Sequence, residues 1–432
     1  VTQISPISCD VLIIGGGPSG SALGTLLARK GHHIILLEKD RHPRFHIGES
    51  LLPLSLPYLD ELGVREDIER IGLRKYSAEF HSMYHNAHSA FSFSDAVDPS
   101  YSYGYQVRRS EFDHVLLKNC ADQGATVYEA CRVTDVSVTQ SAITQVTATH
   151  QDGSIQDYHA RFYVDATGRD TFLASKLGTK FRNPKHASAA LFGHFSGAKR
   201  YEGKDEGNIS IYWFDFGWFW FIPLKDGTTS VGAVCHPRYL RERSKEVEDF
   251  FLETIALCPA LQERLSEATL IEPVTATGNY SYQSRKMHGD NFLLIGDAFA
   301  FIDPVFSSGV HLALHGAFKG AEVIDRILHH PKQAKKELAQ LEASVWKGLG
   351  VFSWFIYRVT TPAIRDLFIH PRNLFGVRSA VISILAGDLF GATSIQKQIL
   401  IFKVIYALKT LFSPRTSFLA FRNRQKNMEI NG

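Results

Sequence analysis

The sequence predicts a mixed α/β fold, with a Rossmann-like nucleotide-binding lobe, an antiparallel sheet lobe and a helical C-terminal region. Three observations predict it. Residues 11–38 run as strand, glycine-rich turn, helix and second strand; residues 188–236 are dense in β-formers; from about Pro331 the composition turns helical, aromatic and basic. At 432 residues the chain exceeds the roughly 250–300 that one hydrophobic core serves, so two or three packed lobes are expected.

The N-terminal unit carries the first chemistry. Val11 to Ile14 is a short apolar run of the kind a buried parallel strand shows, and it breaks at Gly15-Gly16-Gly17-Pro18-Ser19-Gly20. Leu23, Leu26 and Leu27 share one face of the helix that follows. Gly31 falls at its C-terminal cap, before the run Ile34 to Leu37 that ends at Glu38. In such a unit Gly15 permits the tight turn, Gly17 lets the backbone approach a pyrophosphate, and Gly20 lets helix and strand pack closely. Glu38 is placed to accept from both ribose hydroxyls. Strand, helix, second strand and acidic residue at these distances define a dinucleotide site, with the dinucleotide still open.

Past it, Pro43 to Pro53 forms a turn-rich loop along the cofactor edge, followed by a helix from about Leu54 to Leu62. Residues 79–105 alternate aromatic and small polar side chains, which predicts antiparallel sheet with an aromatic face. A helix through Leu117, a meander from Val133 to Ala148 and a strand Arg161 to Val164 lead to Asp165-Ala-Thr-Gly-Arg169, where Asp165 is read as orienting the turn. The block 188–236 is centred on Trp213, Phe214, Phe216, Trp218, Phe219, Trp220 and Phe221. A charged helix is expected over Arg241 to Ile255, and strands near 271–282. The strand Phe292 to Ile295 ends at Gly296-Asp297, and a helix starts after Ser307-Ser308-Gly309.

Composition sets bounds. A net charge of +3 is too small to argue for nucleic acid. The five cysteines, at 9, 120, 131, 235 and 258, form no CxxC pair, which fits a reduced cytoplasm. Val1 to Cys9 lacks the basic start and apolar core of a signal peptide. Ala380 to Phe402 is interrupted by Asp388, Gln396, Lys397 and Gln398, so no transmembrane span is expected. The C-terminal cations Lys397, Lys403, Lys409, Arg415, Arg422, Arg424 and Lys426 read as a solvated face rather than a docking surface.

The turn Gly296-Asp297 implies a second helix start aimed at the far half of an extended cofactor, for which FAD fits better than NAD. GGGPSG, DATGR at 165–169 and GDAFAFIDPVFSSG at 296–309 resemble the aromatic hydroxylase-like flavoproteins, whose FAD lobe is assembled from discontinuous segments. GESLLP at 48–53 and the WxWxIP pattern of Trp218 to Pro223 resemble the flavin-dependent halogenases within that group. The implied division is an FAD lobe over 1–75, 106–185 and 281–330, a substrate-lobe sheet over 76–105 and 186–280, and a helical region over 331–432.

The resemblance implies an FADH2-dependent halogenase. A separate flavin reductase supplies reduced FAD, which with O2 and halide, chloride or bromide, gives hypohalous acid. The acid is tunnelled to a lysine for electrophilic attack on an electron-rich aromatic. The lysine is Lys75, whose burial would lower its pKa and strip competing water; most lysines are surface charges. Trp218, Trp220, Ile222 and Pro223 form the tunnel and flavin side. Cofactor contacts fall to Gly15, Gly17, Pro18, Ser19, Gly20, Glu38, Lys39, Gly48, Ser50, Leu51, Arg109, Asp297, Pro304, Gly309 and Val310. A helix-entry salt bridge of Arg109 with Glu111 or Asp113 stands as its other reading. The amides of Ser308 and Gly309 are the halide candidates, and they also cap the helix. Free-tryptophan halogenases carry a glutamate before this loop's serine; here it is Phe306. That departure resembles the enzymes acting on pyrroles or phenols, some tethered to a carrier protein. The alternative is an FAD-dependent aromatic monooxygenase or a geranylgeranyl-reductase-like flavoprotein.

Overall fold

The computed structural model describes residues 5–278, 280–414, 418–420 and 422. Two large sheets organise them, and in each the strand composition explains the burial. The first sheet runs in the order Thr126–Tyr128, Ile34–Leu37, Ile7–Ile14, Ile155–Asp165, with Phe292–Leu294 parallel to the C-terminal half of Ile155–Asp165, Ala142–Thr149 antiparallel to its N-terminal half, and Arg132–Thr139 antiparallel in turn to Ala142–Thr149. Ile34–Leu37 is buried at every residue, as a central parallel strand with both faces covered must be. The helices Pro18–Arg29 and Gly309–His329 pack against each other over this sheet. Gly320 makes the approach close, since a Cβ on it would lie 3.1 Å from Leu23 Cδ1, and Gly24 does the same for the helix Arg109–Asp122, since a Cβ there would lie 2.6 Å from Cys120 Sγ.

The second sheet runs Thr269–Leu270, Ala189–Ser196, Thr229–Cys235, Gly217–Pro223, Ile209–Phe214, Ser77–Ser82, Ala87–Ser92, with Thr275–Thr277 also on Ala189–Ser196. Its strand Gly217–Pro223 is buried throughout, and period-two alternation sends its side chains to two cores. Phe219 and Phe221 pack beneath the helices Val247–Ala256 and Pro259–Arg264; Trp218, Trp220 and Ile222 join the core shared with the C-terminal helices. Those helices are Ala334–Ile356, Pro362–Ile369, Val377–Ala386 and Gln396–Phe412.

Several elements depart from expectation. The aromatic run 79–105 does not stay in one sheet. Ala87–Ser92 ends it, a short turn follows at Phe93–Asp95, and Gly104–Gln106 pairs with Leu73–Lys75 as a separate ribbon. A Cβ on Gly104 would meet the Leu51 carbonyl oxygen at 2.5 Å, so this ribbon is seated against the 48–53 loop. The helix expected over Arg241 to Ile255 is two, Pro237–Arg241 and Val247–Ala256, because Glu242 to Glu246 carries no apolar residue to hold it to a core. The strand Arg161 to Val164 is the end of a longer one, Ile155–Asp165. Ala380 to Phe402 spans the end of one helix and the start of another, and among the described residues no helix is long and apolar enough to cross a membrane. In the C-terminal basic set, Lys409 pairs with Asp366 and Lys403 lies 5.3 Å from the Trp354 ring centre, so these two serve packing rather than a solvated face. Arg415, Arg424, Lys426, residues 1–4 of the leader stretch and Asn279 lie outside the described residues.

Candidate cofactor and reaction site

Register places the site. Ile14 is paired with both Leu37 and Asp165, and Asp165 with Leu294. Four parallel strands therefore end at one level, and the segments leaving them, from Gly15, Glu38, Ala166 and Ile295, emerge side by side. This is the carboxyl edge at which open α/β sheets bind ligands. A cavity of about 1370 Å³ opens there and extends to the wall formed by Trp218, Trp220 and Ile222.

The glycines of the first turn divide their work. Gly15 has φ +107°, and a Cβ on it would lie 2.5 Å from the Ala166 carbonyl oxygen. A Cβ on Gly20 would lie 1.9 Å from the Gly15 carbonyl oxygen, so helix and turn touch there. Gly17 is open: a Cβ on it would meet no closer atom among the described residues than Arg44 Nη2, at 3.9 Å, its chain neighbours aside. The amide of Gly16 donates to Glu38 Oε2 at 2.6 Å and that of Asp40 to Oε1 at 2.9 Å. Each oxygen keeps a second lone pair for a hydroxyl. Lys39 beside it pairs with Asp170. Asp165 accepts from Thr167 N–H at 2.9 Å and Leu173 N–H at 2.7 Å, which orients the turn.

Arg109 makes the salt bridge of its second reading, with Asp113, and also faces the cavity. It grips buried Asp113 through Nε at 2.8 Å and Nη2 at 3.0 Å, donates through Nη1 to the Ile47 carbonyl at 3.0 Å, and lines the cavity. Arg44 reaches the same carboxylate at 3.1 Å. Two guanidiniums on one carboxylate leave a net positive charge beside Gly17 and Gly48, which suits a pyrophosphate. The two charges also hold the Asp113 carboxyl below its usual range against the opposing effect of burial. Burial pushes His46, on the same wall, down to about 4, with Arg109 adding to the effect, so its ring is neutral.

At the far end Asp297 faces the cavity, and desolvation pushes its carboxyl up to about 6 against the pull of Arg109 and Arg169. The loop before the long helix is fixed by Asp303, which takes Val305 N–H at 3.1 Å and the Ser188 hydroxyl at 2.9 Å and lies 2.7 Å from His186 Nε2. Ser307 has φ +55° and donates to the Pro304 carbonyl at 2.8 Å. The helix then opens at Gly309, and its first amides have no intrahelical acceptor. Phe306 is buried and stacks on Phe352, ring centres 5.9 Å apart.

Lys75 is 1% exposed. Its ammonium donates to Ser50 Oγ at 2.9 Å and lies 5.4 Å from the Phe93 ring centre, and desolvation alone brings its pKa down to about 7. Ser50 lines the cavity and Lys75 stands directly behind it. Of the other predicted residues, Gly15, Gly17, Pro18, Ser19, Glu38, Lys39, Gly48, Arg109, Trp218, Trp220, Ile222, Asp297, Pro304, Gly309 and Val310 line the cavity. Gly20, Leu51, Pro223 and Ser308 are buried behind its wall.

Two groups escaped the sequence reading. Arg44 sits in the loop read as the cofactor edge, and its charge within that loop was the available signal. Glu49 and His194 form an ion pair at 2.8 Å, 2% and 1% exposed, with Glu272 Oε2 3.5 Å from the other ring nitrogen. Burial opposes charge on His194, but both carboxylates raise its pKa above the usual value. Glu49 lines the cavity; only the tertiary placement of the strand Ala189–Ser196 against the 48–53 loop brings His194 to it, and no local pattern marks that residue.

The residues present fit FAD. The open glycine, the paired guanidiniums, Glu38 and Asp297 lie along one elongated cavity whose length joins both sheets, as a dinucleotide with a tricyclic head requires. The fold and site thus define a flavoprotein. Residues 8–338 match the FAD binding domain family. The tryptophan 2-halogenase of Chondromyces crocatus is 36% identical over 331 residues, covering 75% of this chain and 62% of that protein, so the match spans under two thirds of the relative's length. The myxobacterial chondrochloren halogenase CndH, an FAD-dependent halogenase, superposes with a TM-score of 0.78 at 30% identity, over 96% of this chain and 97% of that one. A flavoprotein/dehydrogenase of Cytophaga hutchinsonii superposes with a TM-score of 0.84 at 27% identity, over 94% and 100%. The chain belongs to the FAD-binding flavoproteins and, within them, to the flavin-dependent halogenase family.

Proposed function

We propose that the chain catalyses halogenation of an electron-rich aromatic, a pyrrole, phenol or indole, free or carrier-bound, using reduced FAD, O2 and chloride or bromide. The observation that carries this reading is Lys75: an ammonium without a charged partner among the described residues, enclosed, one hydrogen bond behind the cavity wall. A lysine of pKa about 7 is half protonated near neutrality, so it donates a hydrogen bond to hypohalous acid and polarises its halogen.

Bound FAD in its reduced state supplies the two electrons that activate oxygen. The protein's own groups do the rest. Arg44, Arg109 and the helix start at Pro18 neutralise the phosphates, and Glu38 accepts ribose hydroxyls. Asp297 accepts from the ribityl side. The amides at Ser308 and Gly309 hold the halide without a cationic side chain. Trp218, Trp220 and Ile222 keep bulk water from the oxidant, which is spent at Lys75. A separate flavin reductase provides the reduced cofactor. The five buried, free cysteines suit a reducing compartment, and we place the enzyme in the cytoplasm.

Phe306, where a carboxylate would otherwise meet the substrate, supports an aromatic activated by its own electrons. The Chondromyces relative, named for tryptophan, keeps indoles in the panel. The test supplies FADH2, O2 and bromide with free and carrier-bound pyrroles, phenols and indoles, and reads halogen isotope patterns by mass spectrometry. Brominated product that disappears in Lys75→Ala, while flavin reoxidation continues, is the expected result. Hydroxylated or reduced product would instead favour a monooxygenase or reductase, the reading that the dehydrogenase-named neighbour supports.

A further inference from the structure

We propose that His85, Asp366 and His370 form a binding site for a zinc-type divalent cation, outside the set of residues that line the flavin cavity. His85 lies in the turn between the strands Ser77–Ser82 and Ala87–Ser92; Asp366 and His370 lie one turn apart at the end of the helix Pro362–Ile369. Spacing of four puts the latter two on one helix face, and the packing of that helix on Ser77–Ser82 brings His85 to them.

The distances argue for a metal rather than for hydrogen bonds. His85 Nε2 is 3.5 Å and His370 Nδ1 3.4 Å from the same oxygen, Asp366 Oδ1, and the three residues offer one ligand atom each within 4.8 Å of one another. Both separations are longer than a charge-assisted hydrogen bond of about 2.7–2.9 Å. They match the edge of a tetrahedron around zinc, about 3.3–3.5 Å for bonds of about 2.0–2.2 Å. A comparable trio, His32, Asp325 and His329, differs on this point: His32 Nε2 sits 2.8 Å from Asp325 Oδ1, within ordinary hydrogen-bond distance.

The surroundings prepare the donors. His85 Nδ1 is 2.8 Å from Ser82 Oγ, which fixes the ring and leaves Nε2 as the ligating atom. Lys409, from the helix Gln396–Phe412, pairs with Asp366 Oδ2, leaving Oδ1 for the cation. With water in the fourth position the site ties the turn at the second sheet's edge to two C-terminal helices.

The experiment strips the full chain with EDTA and titrates Zn2+ by calorimetry, with Co2+ as a spectroscopic probe. Wild type should bind Zn2+ with an affinity that falls at least tenfold in His85→Ala and in His370→Ala, and should be unchanged in His32→Ala. Co2+ should give the intense visible bands of a tetrahedral centre in wild type. Matching melting curves of wild type and variants in EDTA show that the variants fold. Zn2+ affinity unaffected by His85→Ala and His370→Ala, or lost in His32→Ala instead, overturns the assignment, as does Co2+ bound with only the weak bands of an octahedral ion.

Discussion

At the scale of single residues, Lys75 is the position where burial does chemical work. Its folded pKa is depressed from 10.5 to about 7, so the stability tied to its neutral form is complete above pH 10.5 and is lost as pH falls through about 7. Relative to Lys75→Met, wild type should therefore weaken by about 5 kcal/mol between those limits. Urea melts of the two proteins across that range measure it, and a parallel pair of curves would place the ammonium in water. Asp297 runs the other way: its raised pKa contributes stability below pH 3.8 that is lost as pH rises through about 6. Asp297→Asn should flatten that limb in the flavin-free chain, as followed by thermal melts. Neither environment is visible in the neighbouring sequence, since Leu73-Arg74-Lys75-Tyr76 would suit an exposed strand equally well. Resemblance singled out Lys75, and the ribbon Gly104–Gln106 with the 48–53 loop encloses it.

At the scale of elements, two close approaches hold the site. Gly20→Ala would drive a methyl into the Gly15 carbonyl oxygen, and backbone cannot swing aside as a flexible side chain can. We expect a loss of about 1–3 kcal/mol with weakened flavin binding, read by melts and flavin fluorescence titration. On the second sheet Gly232 faces Trp220 across the strands, and a Cβ there would lie 2.2 Å from the indole ring. That indole also donates to Ser230 Oγ at 3.1 Å. Gly232→Val should displace Trp220 from the cavity wall and cost about 1–3 kcal/mol, with tryptophan emission shifted to the red. Chain order announced the first of these glycines, inside a turn whose spacing has a mechanical meaning. It gave no sign of the second, because cross-strand partners are set by register.

At the scale of the whole molecule, the cavity is bounded by both sheets, so flavin should stabilise the chain as one unit. At free FAD about 100 times its dissociation constant the gain should be about 2.7 kcal/mol, seen as a single transition moving upward. Two transitions with only one moving would mean that the lobes melt independently. Local sequence determined the βαβ unit, Glu38, the turn Gly296-Asp297 and the alternation of Trp218 and Trp220, because each depends on periodicity, glycine geometry or a short apolar run. Tertiary structure alone decided that four strand ends share one level, that Arg44 and Arg109 converge on Asp113, that His194 meets Glu49, and that Lys75 is sealed behind Ser50. Apart from Arg109 and Asp113, one helical turn apart and paired already in the sequence reading, those contacts join residues distant in the chain, and desolvation, which sets their chemistry, belongs to a position in space rather than to a position in sequence.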